Sequence, residues 1–354
     1  MAVDIFETRT LYGAINEGRF GARSYFRDRF FNRIKTFVTE TIDFDLKDAE
    51  GRKLAPFVNP RVGGQVVNRL GYHTDSYKVP LLAPEMITNA EELMKRMAGE
   101  SIYGSMTPAQ RALEIAQDNM LELEKMITRR EEAMCAQALF EGKIDVKGEG
   151  VDDVVDFWKS LSADNRPTAT SATYWDDNSI DGNAIMEEIR KFVRERVKKT
   201  GFKPREIFCG SKVIDVLIPK LATGELLNNR RVDLGEIRPQ ELPDGVHYWG
   251  YLRDAGIDIY SYDEYYEKAD GSEMVPMIPE NKVLFASSEV ETTMAYGAVC
   301  IADKARNMME WYSSRRVPHS YIQERPAGRV IQLNARPLPI INQVQGFAVL
   351  QPLA

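Results

Sequence analysis

The chain has 354 residues, of which 44% are hydrophobic and 28% charged, with a formal net charge of −7 and a pI near 5.3. This is ordinary globular composition, so it excludes a largely disordered chain, and the acidic balance excludes a surface that grips nucleic acid through many Lys and Arg contacts. The length suffices for two domains or for one elongated, subdivided domain.

The N-terminal 36 residues combine aromatic and basic side chains in a short leader. The aromatic residues include Tyr25, Phe26, Phe30 and Phe31, and cations such as Arg27 and Arg29 interleave with them. This mixture suits an arm that packs on another surface, although a solvated helix with one aromatic face is an equally good interpretation. The chain begins without an apolar run and nowhere contains about 18 successive apolar residues, so we expect neither a signal peptide nor a membrane span.

Hydrophobic alternation from Val38 to Leu46 predicts a strand with one solvated side. Its apolar face carries Val38, Ile42, Phe44 and Leu46. Further extended segments are predicted at 52–58, 65–70 and 76–82, separated by turn-forming residues. Because a two-stranded ribbon is only marginally stable alone in water, we expect this excursion to gain its stability from a neighbouring subunit.

Residues 107–140 are predicted to form one long helix around which the rest of the chain is organised. Thr107 is a suitable N-cap, Pro108 suits the first helical position, and Gln110 completes a capping box. Apolar residues recur at spacings of three and four, and charged residues, Glu132 among them, are predicted on the exposed face. A helix of about 50 Å results. The pattern alone leaves open an ordinary helical enzyme or an antiparallel coiled coil.

A compact α/β or α+β unit is predicted after the segment 142–150 that ends the helix. A loop at 164–179 precedes a helix that Asp181 caps and Gly201 ends, and a second helix is expected to begin at Ser211 and stop at Pro219. Strands are predicted at 206–209, 246–251, 257–262, 274–278 and 283–286. Further strands at 292–302, 307–314, 330–335 and 346–350 form a β-rich tail, which we expect to pack on the long helix.

No motif in the chain indicates catalysis. His73, His247 and His319 share no metal-ligand spacing, and phosphate-binding loops and nucleophile elbows are missing from the sequence. Three widely separated cysteines, Cys135, Cys209 and Cys300, form no CxxC pair, which favours a reducing cytoplasm. We therefore predict no catalytic, cofactor-binding or metal-binding residues, and no cofactor.

Several stretches resemble the major capsid protein E family of tailed phages. They are Tyr25-Phe26-Arg27-Asp28-Arg29-Phe30-Phe31, the run from Pro56 to Val67, the exit Leu82-Ala83-Pro84-Glu85-Met86-Ile87-Thr88, and the C-terminal stretches 279–285 and 296–305. The resemblance covers residues 25–354 in order and is weak from about 150 to 279.

This resemblance implies an α+β fold of the Hong-Kong-97 type. Its parts would be an N-terminal arm (1–36), an extended E-loop (37–85), a P-domain (86–149 and 291–354) that includes the spine helix 107–140, and an A-domain (150–290). Contacts between subunits are expected from the E-loop through Phe57, Val58, Arg61, Val62 and Val66, and from the arm through Tyr25, Phe26, Phe30 and Phe31.

The resemblance also implies a structural protein that builds the icosahedral head of a double-stranded DNA phage. Its partners would be copies of itself in hexamers and pentamers, a separate scaffolding protein, a portal protein, a possible decoration protein, and packaged DNA bound without sequence specificity. No contact with a membrane is expected. The protein would reside in the virion after assembly in the bacterial cytoplasm.

Two other functions are also compatible with the sequence. An encapsulin-like compartment shares the fold, and a soluble enzyme with an unrecognised site in the α/β unit is the less favoured interpretation.

Some relatives of the fold cross-link Lys to Asn between subunits. Lys47, Lys53, Asn334 and Asn342 are common surface residue types without a distinguishing pattern, so we expect no cross-link.

Overall fold

A computed structural model describes residues 24–47, 72–96, 106–148, 150–159, 161, 166–223, 240–241, 245–252, 254–268, 273–303, 308–325 and 327–353. The helices are α1 (Tyr25–Arg29), α2 (Ala90–Met94), α3 (Pro108–Glu141), α4 (Gly182–Thr200) and α5 (Ser211–Thr223), with a 3-10 turn at Val344–Gly346. Within these residues no helix combines the length and hydrophobicity that crossing a bilayer requires.

Strands make up most of the remaining regular structure. Those before α4 are β1 (Ile34–Thr36), β2 (Thr41–Lys47), β3 (Tyr72–Lys78), β4 (Glu85–Asn89), β5 (Lys143–Gly148), β6 (Val151–Asp156) and β7 (Thr168–Thr170). Those that follow are β8 (Glu206–Cys209), β9 (Gln240–Glu241), β10 (Val246–Leu252), β11 (Ile257–Tyr262), β12 (Tyr265–Glu267), β13 (Met274–Pro276) and β14 (Val283–Ala286). The tail contributes β15 (Thr292–Tyr296), β16 (Val299–Asp303), β17 (Met308–Tyr312), β18 (Val317–Glu324), β19 (Ala327–Asn334), β20 (Pro337–Ile341) and β21 (Phe347–Gln351).

The long helix α3 confirms the predicted single helix. Thr107 accepts a hydrogen bond from the backbone N–H of Gln110, and the Gln110 side chain accepts one in return from the N–H of Thr107. Gly142 ends the helix in the left-handed conformation with φ of 65°, which is the usual role of glycine at a helix C-terminus.

The two halves of α3 pack against different parts of the tail and the core. Met120, Leu123 and Ile127 form a small cluster with Leu333 and Ala335, at the C-terminal end of β19 and just beyond it. The C-terminal half contributes to the largest cluster of the subunit, together with β15, β20 and β14. The tail therefore packs on the long helix, as the sequence predicted.

The α/β unit is built on one sheet of strand order β7-β21-β14-β8-β11-β10-β9. Helices α4 and α5 bury Ile189, Val213 and Leu217 against strand residues such as Phe285 and Ile259. The last strand, β21, lies between β7 and β14 of this sheet. The tail thus crosses into the α/β unit, a connection that local sequence patterns do not reveal.

Smaller sheets complete the subunit. Strands β18, β19 and β4 form one sheet, and β1 runs parallel to β15, which pairs with β20. Two-stranded ribbons are formed by β2–β3, β5–β6, β12–β13 and β16–β17.

Several predicted element boundaries were wrong. The segment 164–179, expected to be a loop, contains the short strand β7. The strand predicted at 292–302 is interrupted at Gly297 and Ala298, whose N–H groups donate to Arg336 and Thr39 carbonyls outside the strand. Helix α5 continues past Pro219 to Thr223, because Leu221 is fully buried in the unit's core and fixes the last turn. The segment 142–150, expected only to end the helix, instead begins a hairpin, because Ile144 and Val155 pack in the main cluster.

Candidate functional site: the arm–helix junction

Helix α3 carries three carboxylates that lie inside the protein. Glu124 is 5% exposed, and Glu131 and Glu132 are 0% exposed. Glu124 and Glu131 are seven residues apart, so they lie on the same helix face. Burying three carboxylates is costly unless each is paired or hydrogen-bonded. Their partners define a site, which we call the arm–helix junction: Arg27, Glu124, Glu131, Glu132 and Arg316.

Arg316 links the tail to the long helix through two edges of its planar guanidinium group. Its Nε donates to Glu124 Oε2 at 2.6 Å, and Nη1 and Nη2 donate to the two oxygens of Glu131 at 2.6 and 3.0 Å. The Arg316 side chain is 3% exposed. Burial by itself raises the pKa of Glu131, but the paired guanidinium of Arg316 overcomes this effect and lowers the pKa to about 2. Glu131 is therefore ionised in the folded subunit at neutral pH.

Glu132 holds the N-terminal arm by a different type of contact. Its Oε1 accepts from the backbone N–H of Phe26 at 2.7 Å, and its Oε2 accepts from the N–H of Arg27 at 2.9 Å. These N–H groups belong to the first turn of α1, which leaves them without partners inside that helix. Burial raises the pKa of Glu132 to about 7, and the two backbone hydrogen bonds only partly oppose that rise.

Arg27 connects the two halves of the junction. Its backbone donates to Glu132, while its Nη1 donates to Glu131 Oε2 at 3.0 Å. The arm, the long helix and the tail residue Arg316 consequently share one buried network. Every carboxylate of the junction binds a cation or backbone N–H groups. The junction therefore attaches the arm and the tail to the long helix.

The aromatic residues of the arm pack inside their own subunit. Phe26 and Phe31 are 0% and 1% exposed, and the Phe26 ring contacts Phe140, Phe208 and Tyr262 at centroid distances of 5.3 to 6.1 Å. Tyr25 and Phe30 are partly buried against the same cluster, and Arg29 forms an ion pair with Glu206.

The expected contact with a neighbouring subunit therefore needs correction for two of the arm residues. A ring without exposed surface cannot contact another chain, so Phe26 and Phe31 anchor the arm to the core of its own subunit. For Tyr25 and Phe30 a contact with a neighbour stays a prediction.

The described base of the predicted E-loop is also attached to its own subunit. Ile42, Phe44 and Leu46 are buried in the main cluster, and the Phe44 ring lies 5.9 Å from that of Phe157. Val38, predicted on the same face, is 79% exposed instead, because β2 begins only at Thr41. The expectation that this ribbon depends on another subunit for stability is thus wrong for its base.

The predicted E-loop contact residues lie outside the described part of the chain: Phe57, Val58, Arg61, Val62 and Val66. The extended segments predicted at 52–58 and 65–70 lie outside it as well. The third segment, predicted at 76–82, is displaced in the structure, because β3 spans Tyr72–Lys78 and pairs with β2.

Groups suited to catalysis are dispersed in the described residues. His73, His247 and His319 lie on β3, β10 and β18, which belong to three separate sheets. A cleft of about 400 Å³ is lined by Arg29, Glu206 and Ser287 among others, and the lining includes neither histidine nor cysteine. Within the described residues, no group of three or more His, Cys, Asp and Glu side chains could hold a metal ion.

The sequence pattern does not predict the junction, because the helical spacing places Glu132 on the exposed face of α3. A usable signal exists for the other two carboxylates. Glu124 and Glu131 fall into the three- and four-residue spacing of Met120, Ile127 and Met134, so the apolar periodicity itself places them on the buried side. Arg316 carries no comparable signal, because its position in a short link between strands gives no periodicity.

Comparisons with known proteins bear on the whole chain. The family model described as phage major capsid protein E matches residues 7–350. The major capsid protein of Escherichia phage lambda is 25% identical over 348 residues, which are 96% of each protein. The structure of a prophage capsid protein from E. coli CFT073 superposes with a TM-score of 0.72 at 19% identity, covering 98% of this chain and 99% of that one. A phage-related protein from Bordetella bronchiseptica RB50 has a TM-score of 0.52 at 9% identity, with 97% and 96% covered.

Proposed function

Because this chain belongs to the phage major capsid protein E family, it is a structural capsid protein of a tailed phage and not an enzyme, and we propose that its copies close into an icosahedral head around the genome. The observation that carries this conclusion is the family match, which spans residues 7–350 and so includes both the arm–helix junction and the tail. The fold is of the Hong-Kong-97 capsid type, and the protein assembles with copies of itself into a shell of the virion. The match to a phage family leaves the encapsulin and enzyme interpretations without specific support.

The proposal also assigns the subunit to four parts. The arm (1–36), E-loop (37–85), P-domain (86–149 and 291–354) and A-domain (150–290) would each have a separate role in assembly. Support comes from the helix–tail cluster around Leu123 and Leu333, which contains no residue of 150–290. Strand β21, from the segment 291–354, lies in the sheet of the α/β unit and connects the two domains. In this arrangement the arm–helix junction makes the arm, α3 and the tail one rigid body, and the E-loop tip reaches the neighbouring subunit.

Partners other than copies of the chain are part of the proposal, which the family and the acidic charge support. We propose that a separate scaffolding protein guides assembly in the host cytoplasm, that a portal protein occupies one vertex, and that a decoration protein can add to the outside. A net charge of −7 suits DNA that is enclosed without adhering to the wall, because like charges repel.

Expression of the chain in bacteria, followed by gradient sedimentation and negative-stain electron microscopy, tests the proposal. We expect closed shells of uniform diameter, either from the chain alone or with its scaffolding protein. Finding only monomers or small oligomers under both conditions would contradict the proposed function.

A further inference from the structure

The hairpin β16–β17 has one face inside the subunit and one face outside it. Val299, Ile301 and Tyr312 pack with Val317 in a small cluster. Because side chains alternate across a strand, Cys300, Ala302, Met309 and Trp311 lie on the opposite side, which we call the outer face of the hairpin.

The outer face is apolar, contiguous and exposed. Cys300 lies opposite Trp311, and Ala302 lies opposite Met309, so the four side chains form two adjacent cross-strand pairs. Met309 is 74% exposed and Trp311 is 56% exposed, and none of the four residues carries a charge. Tryptophan and methionine are enriched in the buried centres of protein–protein interfaces, and charged residues are depleted there.

A second observation concerns the edges of the hairpin. In the described part of the chain, β16 and β17 pair only with each other. An isolated two-stranded ribbon is marginally stable in water and needs a further packing surface. The inner face contributes only a small cluster of three buried residues and Tyr312. Burial of the outer face would therefore stabilise the hairpin further.

We propose that the outer face of the hairpin packs against an apolar surface of a second copy of this chain in the assembled shell. This inference rests on the proposed function, because a shell built from one protein surrounds each subunit with further copies. Weak contacts repeated in every subunit are sufficient there, since assembled neighbours are held at high effective concentration. The absence of charge on the four residues argues against DNA as the occupant, because DNA is bound mainly through cations.

Cys300 provides a probe on the face itself. The chain has three cysteines, of which Cys135 and Cys209 are fully buried and Cys300 is partly exposed. The experiment treats unassembled subunits and purified shells with iodoacetamide and follows each cysteine by peptide mass spectrometry. The shells must show only this chain on a gel, so that no other protein can cover the face.

We expect Cys300 to react in the unassembled subunit. In the shell its rate of alkylation should fall by a factor of about ten or more, because a buried thiol is shielded from the reagent. Cys135 and Cys209 serve as internal controls that stay unmodified in both states. Equal reactivity of Cys300 in both states would overturn the inference while leaving the proposed function intact. If no shells form under any condition, the proposed function fails and the inference fails with it.

A pair of variants tests the same face independently of the thiol. Met309→Ser with Trp311→Ser should reduce the yield of shells about tenfold while the subunit stays folded by circular dichroism, because large apolar side chains carry much of the binding energy of an interface. The control is Tyr265→Ser with Met274→Ser on the ribbon β12–β13, where the two residues are 43% and 59% exposed. Normal shell yield from the hairpin variant, or equal loss in both variants, would contradict a specific role for the outer face.

Discussion

Glu131 and Glu132 are adjacent on the long helix and fully buried, yet their environments shift their pKa values in opposite directions. The guanidinium of Arg316 overcomes the effect of burial on Glu131, whose pKa falls to about 2. Glu132 accepts hydrogen bonds from two backbone N–H groups, and burial raises its pKa to about 7. One carboxylate therefore belongs to a buried ion pair, whereas its neighbour fixes the arm at an energetic cost that depends on pH.

Replacing Arg316 should destabilise the subunit strongly. Arg316→Met leaves Glu131 charged and buried with only Arg27 and the more distant Arg315 near it, at 3.0 and 3.7 Å. Removing one partner from a buried ion pair typically costs about 3–5 kcal/mol. The measurement is urea-induced unfolding of the unassembled subunit.

Arg205 offers a matched control for that variant. It pairs with Glu289 at 3.4 Å, but the two side chains are 61% and 69% exposed. Arg205→Met should cost less than about 1 kcal/mol, because solvent screens exposed ion pairs. A similar small loss for both arginines would contradict the structural role assigned to Arg316.

Stability should depend on pH through Glu132. Its pKa rises from 4.5 to about 7 on folding, so between these values the folded subunit binds more protons than the unfolded chain. The contribution of Glu132 therefore favours the folded state at low pH, and the free energy of unfolding should fall as pH rises from 4.5 to about 7. The total effect of this one group is on the order of 3 kcal/mol.

Comparison with Glu132→Gln isolates this effect. All other titratable groups are common to the two proteins, so only the difference between the two pH profiles is attributed to Glu132. We expect the variant to lack the decline between pH 5 and pH 7, whatever its absolute stability. Parallel profiles for the two proteins in urea titrations would count against a raised pKa.

Gly142 should tolerate no side chain at the end of the long helix. A Cβ atom there would lie 1.9 Å from a ring atom of Trp158, and φ is 65°. Gly150 has a similar φ of 75° but no atom within 4 Å of the added Cβ. Gly150→Ala should cost about 1–2 kcal/mol from backbone strain alone, and Gly142→Ala should cost clearly more because of the added collision. Thermal unfolding of the two variants measures the difference, and equal losses would show that Trp158 moves aside freely.

Sequence patterns predicted those parts of the fold that depend on local chemistry. The capping box at Thr107, the cap at Asp181 and the glycine ends at Gly142 and Gly201 all match the structure, because each rests on contacts within a few residues. The strand 206–209 was predicted with its observed bounds, since its four residues are buried inside the sheet.

Long-range relationships were not predictable in the same way. The position of β21 between β7 and β14 joins segments about 180 residues apart, and no spacing rule identifies it. The same holds for Arg316 and Glu131, which meet across 185 positions. Phe26 and Phe31 have the composition of an external contact, and only the tertiary structure shows that their own core encloses them.

Shells of this protein should not be covalently cross-linked. Asn334 is 3% exposed, and its Nδ2 donates to the Val317 carbonyl at 3.3 Å. The Nδ2 of Asn342 donates to the Asp45 carbonyl at 3.2 Å within the same subunit. Both amides are therefore engaged internally, whereas a bond to a lysine of another subunit needs an accessible amide. Boiled and reduced shells should enter a denaturing gel as a single monomer band, and a ladder of higher bands would contradict this expectation.

The tip of the proposed E-loop should be the part of the subunit on which assembly depends most directly. Its base is held to the core by Ile42, Phe44 and Leu46, so changes at the tip leave the fold of the subunit intact. Phe57→Asp with Val58→Asp adds two charges at apolar positions that we expect to contact a neighbour, and burying an unpaired carboxylate is costly. The variant should stay soluble and folded while forming few shells. The control is Asn59→Asp with Gln65→Asp, which adds the same charge to polar positions of the same segment and should assemble well. Electron micrographs with normal shells from the first variant would contradict the assignment of residues 37–85 as an intersubunit loop, whereas failure of both variants would point to net charge instead of apolar contact.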